Sequence, residues 1–548
     1  MHGDTARTPQ NTRFSTGYPE GTGLRQYQNV PSPAKRYFVA SALCRRAIYC
    51  MAPNHSIVMT DQYTEAIDAY AQALPPGELL EFSTAPFDRL NLPCRTATFF
   101  AEDGRTRGGA GYGFTDSQAL VGAMGEMTEE FAASRAVLTR PRETGSYAEM
   151  VQKHGASGVA DPLTLCLDSG GAYTAAMPLE WTPAKRLATG ETVWVPVEFV
   201  ATYRGDVGAN PLVTPITNGL GAGLTEAQAV AHGLLELLQR DGNGLQIRAL
   251  ATETALDLST VADPGARQLL DLLDKNGVDI VVKVASTDFG LPGFYVAGID
   301  REAVSNGLPI RTAGGGEAVH PVAEIALQKA LLEFCAARAR MAFFHGPLET
   351  VACLTPPGYL DRMLPGVDPN AQEPRALAEM VRWLGLPLEE LRGLLSPRVL
   401  RVGTQVAFSG LPTTSLSLTH DKNALLADVA GRLYAGGFDI LVADFSEFAN
   451  GVHAVKVLVP GLEVETLSYG RIGERNVRRL MAQPEQLAGV GPAPENARRV
   501  LLTADAEARL GGPAWLDWVG VERVVGPLYA LYREPGRHAA PLAMGRGF

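Results

Sequence analysis

Apolar residues recur at three- and four-residue steps in three long stretches of this chain, and each stretch opens on glycine. In residues 217–241, TNGLGAGLTEAQAVAHGLLELLQRD, the positions Val230, Leu234, Leu237 and Leu238 line one stripe, the period of a helix buried on one side. Thr225 is suited to cap that helix, because its hydroxyl can accept from the first unpaired amides, and Gln228 stands three residues on as a capping box requires. The helix is therefore expected to start near Glu226. His232, Glu236 and Gln239 fall on a second stripe, followed by Arg240. Charged residues are mostly exposed, so a solvated face is the simplest reading of that stripe taken alone.

The other two stretches repeat the arrangement. A strand is predicted over residues 95–101, RTATFFA, then a glycine-rich turn over 108–113 and a helix over 115–136. Leu120, Ala123, Met124, Met127 and Phe131 form its apolar stripe, whereas Gly122, Glu126, Glu129 and Ala133 form another. Two carboxylates flanked by residues with little or no side chain leave room for a polyanion and its cations, although a solvated face is an equal alternative. The third stretch, 313–341, has a glycine-rich turn, Pro321 near a helix start, and a long helix bearing Glu333, Arg338 and Arg340.

Between and around these helices the pattern predicts an α/β (α+β) fold. Residues 158–168, 191–200, 277–286 and 293–299 read as strands, and the segment LLADVAGRLYAGGFDILVADFS as helix, turn and strand, with another strand in VHAVKVLVPGLE. Residues 1–33 lack apolar periodicity and are expected to be a flexible leader. Residues 34–94, with a short strand at 56–59 and a helix at 61–74, read as a small N-terminal α/β adjunct. The main domain is expected over 95–475, with a proline-richer insertion at about 345–400, and 476–548 as a C-terminal tail region. No repeat of short fixed period is visible.

Composition narrows the chemistry. A length of 548 residues exceeds one ordinary core. The net charge of -11 offers no basic face for a phosphate backbone, so no nucleic-acid partner is expected. The six cysteines form no CxxC pair, which argues against structural zinc and a disulfide framework. No secretory h-region and no membrane-spanning apolar run occur, so a cytoplasmic protein without a membrane partner is expected. P-loop and Rossmann fingerprints are missing. Three glycine-to-helix units with acids off the apolar face nonetheless fit a nucleotide triphosphate, since magnesium takes carboxylate and phosphate oxygens and helix N-termini and arginines hold phosphate.

At this point the residues carry a resemblance. ALVGAMGEMTEE, TNGLGAGLTEAQAVAHGLLELLQRDG and GGGEAVHPVAEIALQKALLEFCAAR are similar, in this order, to the ALxxALxEAxER-, SNGxAxGxTxxEAxxHGLxExxERDA- and GxGxHPxxxxALxxALxExxxxR-like segments of the YcaO family. GVADPLTL, WVPVEFV and VLVPGLE support it. The resemblance implies a YcaO-like core with several sheets and helices lining an ATP and Mg2+ site. It implies an enzyme that activates a peptide-backbone amide by O-phosphorylation. Thiazolines or oxazolines in a ribosomally made precursor peptide are the first expectation, thioamide or amidine formation by the same activation the second, and a catalytically silent nucleotide-binding scaffold the third. By motif position Glu126, Glu129 and Glu236 would hold metal, and Asn218, His232, Gln239, Arg240, Glu333 and Arg338 the nucleotide, with Thr217 shaping the turn. A precursor peptide and a ThiF-like or TfuA-like protein are the implied partners, and a homodimer is left open.

Four positions depart from the family pattern. Gly122 replaces a small hydroxyl residue, Glu130 an arginine, Gln239 a second carboxylate and Ala336 a glutamine. Gln239 keeps an oxygen but loses a charge, which would weaken metal binding. The C-terminus lacks the PxPxP ending of azoline-forming members, so the last residues are expected to stay out of the active site.

Overall fold

The computed structural model describes residues 63–208, 211–249, 253–302, 315–446, 450–464, 470–531 and 533–545, with 245–249 as backbone alone. All of them lie in one compact unit, Val58–Phe548. The leader and the strand expected at 56–59 fall outside the described residues.

Three sheets bring one edge each to the same place. The first has the order β1-β2-β3, built from β1 (Gly77–Ser83), β2 (Cys94–Ala101) and β3 (Thr106–Tyr112), all antiparallel. The helix before it, α1 (Thr64–Ala73), matches the one expected at 61–74. Pairing of β1 with β2 runs across the boundary expected at residue 94, so the hairpin and the chain beyond it share one sheet. The second sheet runs β4-β5-β13-β14-β7 with β6 beside β5, where β4 is Glu143–Gly145, β5 Leu179–Arg186, β6 Thr192–Pro196, β7 Leu220–Gly223, β13 Leu441–Asp444 and β14 His453–Leu458. The third runs β11-β10-β9-β8-β12, from β8 (Thr254–Asp257), β9 (Val278–Ser286), β10 (Gly293–Asp300), β11 (Gly316–Val319) and β12 (Thr404–Ala407). Thus β3, β7 and β11 are edge strands, each followed directly by a long helix: α2 (Asp116–Thr139), α3 (Glu226–Ala249) and α4 (Ala323–His345).

Where the sequence pattern predicts a turn before each helix, several of the glycines lie in the edge strand itself: Gly108, Gly109 and Gly111 in β3, Gly221 and Gly223 in β7, and Gly316 in β11. The reason is close approach. A Cβ on Gly111 would stand 2.0 Å from the Ala119 carbonyl oxygen of α2, one on Gly221 2.1 Å from that of Ala229 in α3, and one on Gly316 2.0 Å from that of Ala330 in α4. Only a residue without a side chain lets strand and helix backbones touch at these points. Both N-caps conform: Thr115 Oγ1 accepts from the Gln118 amide and Thr225 Oγ1 from the Gln228 amide, each at 3.2 Å. The glutamine at N3 reaches one residue further back than a capping box would, to the amides of Phe114 (2.8 Å) and Leu224 (3.2 Å). The two units are copies 110 residues apart, GFTDSQA at 113 and GLTEAQA at 223.

Two other expectations change. Residues 158–168 form 3-10 turns at Ala156–Gly158 and Pro162–Thr164 rather than a strand, the second capped by Asp161 and opened by proline. The insertion and the tail are not separate: Met380, Trp383 and Leu395 from the first share a buried core with Leu480, Val521, Ala539 and Ala540 from the second. Apolar surface on both is covered only when they meet.

Candidate active site

A cavity of about 770 Å³ lies where the three edge strands meet their helices, lined by Ala110, Ala222 and Glu317 from the strands and by Glu126, Glu236 and Glu333 from the helices. Each helix glutamate caps a backbone amide in, or just before, the edge strand. Glu126 Oε2 accepts from the Ala110 amide at 2.8 Å, Glu236 Oε2 from Gly219 at 3.0 Å, and Glu333 Oε2 from Glu317 at 2.8 Å. Glu126 and Glu236 stand seven residues, two helical turns, past the glycine contacts at Ala119 and Ala229, and Glu333 three residues past that at Ala330.

The acids are unevenly balanced. Glu126, Glu129 and Glu130 make no ion pair among the described residues, and enclosure raises the pKa of all three. Glu126 opens onto the cavity yet sits deep; enclosure, then Glu130 and Glu236, push it up to about 8 against the pull of the Ala110 amide. Glu129 is held well above the carboxylate range by enclosure and by Glu236, Glu126 and Glu130. Glu130, raised by enclosure, donates nothing and accepts from the Tyr203 hydroxyl at 2.6 Å. On the α3–α4 side the charges are paired instead: Arg240 lies 3.4 Å from Glu236 and 3.2 Å from Glu317. Enclosure raises Glu333 too, offset by the Glu317 amide, Arg240 and Lys329. Gln239 donates to Glu317 Oε2 at 3.1 Å, a bond that a glutamate at 239 could not make.

Of the expected residues, Glu126, Glu129, Glu236, Thr217, His232, Gln239, Arg240 and Glu333 line the cavity. Two do not. Arg338 is buried and paired with Asp88 (2.6 Å) and Asp300 (2.9 Å) behind the site, because its place on α4 turns it toward the strand-bearing side; Arg340 lines the cavity in its stead. Asn218 lines a separate cavity of about 50 Å³ with Lys456, whose Nζ bonds the Ile216 carbonyl and whose burial lowers its pKa to about 7. Residues the pattern did not single out are Lys329, Glu317 and Arg537. Lys329 had a signal, being four residues before Glu333 on the same helix; it depresses His232, whose enclosure comes first, to about 4. Arg537 had none, since only tertiary packing carries the C-terminal segment here, where Glu534 grips Arg340 with two bonds of 2.8 Å.

Among the described residues no three metal-type side chains are close enough to hold an ion by themselves. The donor set still fits magnesium, which commonly takes one or two protein carboxylates and completes its shell with phosphate oxygens and water. Enclosed carboxylates that repel one another and make no ion pair among the described residues are what such an ion neutralises.

Fold and site define an α/β protein built around a carboxylate-walled, arginine-rimmed cavity between three sheet edges. The family follows from the sequence match: residues 110–463 fit the YcaO family model, described as a YcaO cyclodehydratase that binds ATP and Mg2+. The chain belongs to the YcaO family, and ATP and Mg2+ are its cofactors. It is 27% identical over 395 residues to an uncharacterised protein of Methanothermobacter thermautotrophicus, covering 71% of this chain and 90% of that one. An uncharacterised protein in the tfuA 3′ region of Rhizobium leguminosarum bv. trifolii is 27% identical over 55% of this chain and 66% of its own length. A heterocyclase solved in complex with substrate and cofactor shares the fold at TM-score 0.54 and 19% identity, over 79% of this chain and 56% of that longer one. No helix among the described residues is long and apolar enough to cross a membrane.

Proposed function

We propose that this protein uses ATP to activate a peptide-backbone amide. A nucleophile adds to the amide carbonyl, the resulting oxyanion takes the terminal phosphoryl group of ATP, and phosphate then leaves with that oxygen. An azoline results if the nucleophile is a Cys, Ser or Thr side chain of a precursor peptide. The observation that carries the reading is the convergence of Glu126, Glu129 and Glu236 on one cavity, where Glu126 and Glu129 make no ion pair among the described residues. These three are assigned to the metal. When bound, Mg2+ offsets the triphosphate and the charge that develops on the departing phosphate. His232, Arg240 and Lys329 are assigned to nucleotide oxygens, and Gln239 and Glu317 to holding Arg240 in place. Arg340 replaces Arg338 in the assignment.

The relative in the tfuA 3′ region favours a second reading of the same activation, with sulfide as the nucleophile and a thioamide as product; a TfuA-like protein would then be the partner. The test is incubation with MgATP and a precursor peptide. Phosphate release that depends on the peptide is expected, with loss of one water per ring for an azoline or exchange of oxygen for sulfur for a thioamide. ATP binding without any peptide-dependent release would leave a silent scaffold and contradict the proposal.

A further inference from the structure

One part of the cavity wall, where Gly108 and Arg537 meet, is not used by the assignments above. Arg537 Nη1 donates to Thr98 Oγ1 at 3.2 Å and to the Tyr359 hydroxyl at 3.5 Å, and its guanidinium lies 4.7 Å from the Phe344 ring centroid. It makes no ion pair among the described residues. Its charge also draws on the enclosed Glu130 carboxyl, but a stacked arginine whose hydrogen bonds go to hydroxyls keeps donors for a ligand oxygen.

Beside it, β3 offers backbone. In the antiparallel β2–β3 pairing Gly108 stands opposite Thr98 and Ala110 opposite Thr96. The Gly113 amide donates to the Pro93 carbonyl and the Ala101 amide to the Arg105 carbonyl, so the odd-numbered residues bond toward β2. Hydrogen-bonding direction alternates along a strand. The amide and carbonyl of Gly108, and those of Ala110, therefore point away from β2, along the free edge; the Ala110 amide does meet Glu126 there. Gly108 lines the cavity and has no side chain to cover those groups.

We propose that this part of the wall is the subsite for the substrate's peptide backbone, resting on the amide-activating function proposed above. One residue of an extended peptide pairs with the Gly108 amide and carbonyl, as in addition of a strand to a sheet edge, and Arg537 donates to a neighbouring peptide carbonyl. Glu126, by occupying the Ala110 amide, ends the pairing one step further on. The amide that leaves the ladder is delivered to the carboxylates. The part of the wall with His232 and Lys329 is left to the nucleotide.

The test uses the full chain, with a non-hydrolysable ATP analogue plus Mg2+ and the probe peptide acetyl-Ala-Gly-Cys-Gly-Ala-amide at millimolar concentration. Hydrogen–deuterium exchange is expected to slow over residues 226–240 with the nucleotide and over 106–112 only when the peptide is added. Arg537→Met is expected to raise the peptide concentration for half-protection at least tenfold and leave nucleotide affinity within twofold; Arg537→Lys, which keeps charge but loses the planar fork, falls between. Peptide protection elsewhere, or an Arg537→Met that weakens nucleotide and not peptide, overturns the subsite while the functional reading stands. Absence of nucleotide protection on α2, α3 and α4 together would instead refute the functional reading.

Discussion

The α2 and α3 units start from the same plan and diverge at the charges. Each has a glycine strand pressed on its helix, a threonine cap, and a glutamate that caps a backbone amide, that of Ala110 in β3 for Glu126 and that of Gly219, just before β7, for Glu236. One turn further on, α2 continues with Glu129 and Glu130, whereas α3 has Gln239 and Arg240 in the equivalent places. The first unit is thus a wall of acids that make no ion pair among the described residues, and the second brings its own guanidinium, tied to Glu317 of the third unit. Backbone packing holds the copies alike, while the side chains facing the cavity are left to specialise. The same divergence accounts for Gln239: a carboxylate there would face Glu317 across the position where the amide now donates.

Breaking the shared scaffold should have the largest effect. Gly111→Ala and Gly221→Ala should each destabilise the protein by about 3 kcal/mol or more, because the new methyl group meets helix backbone that cannot step aside. Gly393→Ala, in a helix where a Cβ meets nothing within 4 Å, should stabilise by about 0.5–1 kcal/mol. Urea denaturation separates the three, and unequal costs at 111 and 221 would show that the two units are not equivalent.

Next comes the shared acid. Glu236→Gln keeps the shape but removes a charge proposed to face metal and triphosphate, so MgATP affinity should fall by about tenfold or more, or about 2 kcal/mol. A solvated bystander would change stability by less than about 0.5 kcal/mol and leave affinity untouched. Calorimetry with MgATP decides between them.

The point of divergence can be swapped. Gln239→Glu alone should lower the metal-free melting temperature through repulsion with Glu317, and adding Glu317→Gln should recover most of that loss. If the single variant melts like the parent, the Gln239–Glu317 bond does not explain the substitution.

The smallest effect concerns acid. Burial opposes it, but Arg340 and His345 hold the Glu534 carboxyl down to about 2, below the 4.5 of a free glutamate. A depressed carboxylate contributes stability above its unfolded value and loses it as pH falls toward the folded one. The docked C-terminal segment should therefore loosen between pH 4.5 and about 2, and Glu534→Gln should flatten that part of the melting-temperature profile.

Much of this was legible in the residues. The periodicity of 217–241 located the helix and its cap, and motif order located Glu126, Glu129, Glu236 and Glu333 on the cavity wall. Arg338 was misplaced because two arginines two residues apart face opposite sides of a helix, and spacing from Glu333 does not say which one the neighbouring aspartates, Asp88 and Asp300, will capture. The glycine runs read as turns in the sequence because glycine is common in both roles; only the helix backbone 2 Å away from the missing Cβ distinguishes them. The C-terminal segment could not be placed at all from sequence, because what docks it is Glu534 and Arg537 meeting side chains from residues roughly 200 to 440 positions away.

The central claim is that the acids of α2 and α3 reach the nucleotide through magnesium. Calorimetric titration of the full chain with ATP, once with Mg2+ and once with chelator, tests it most directly. Binding only in the presence of the ion is predicted, because without it the acids of the cavity supply no positive charge to balance the triphosphate. Equal affinity in chelator would contradict it.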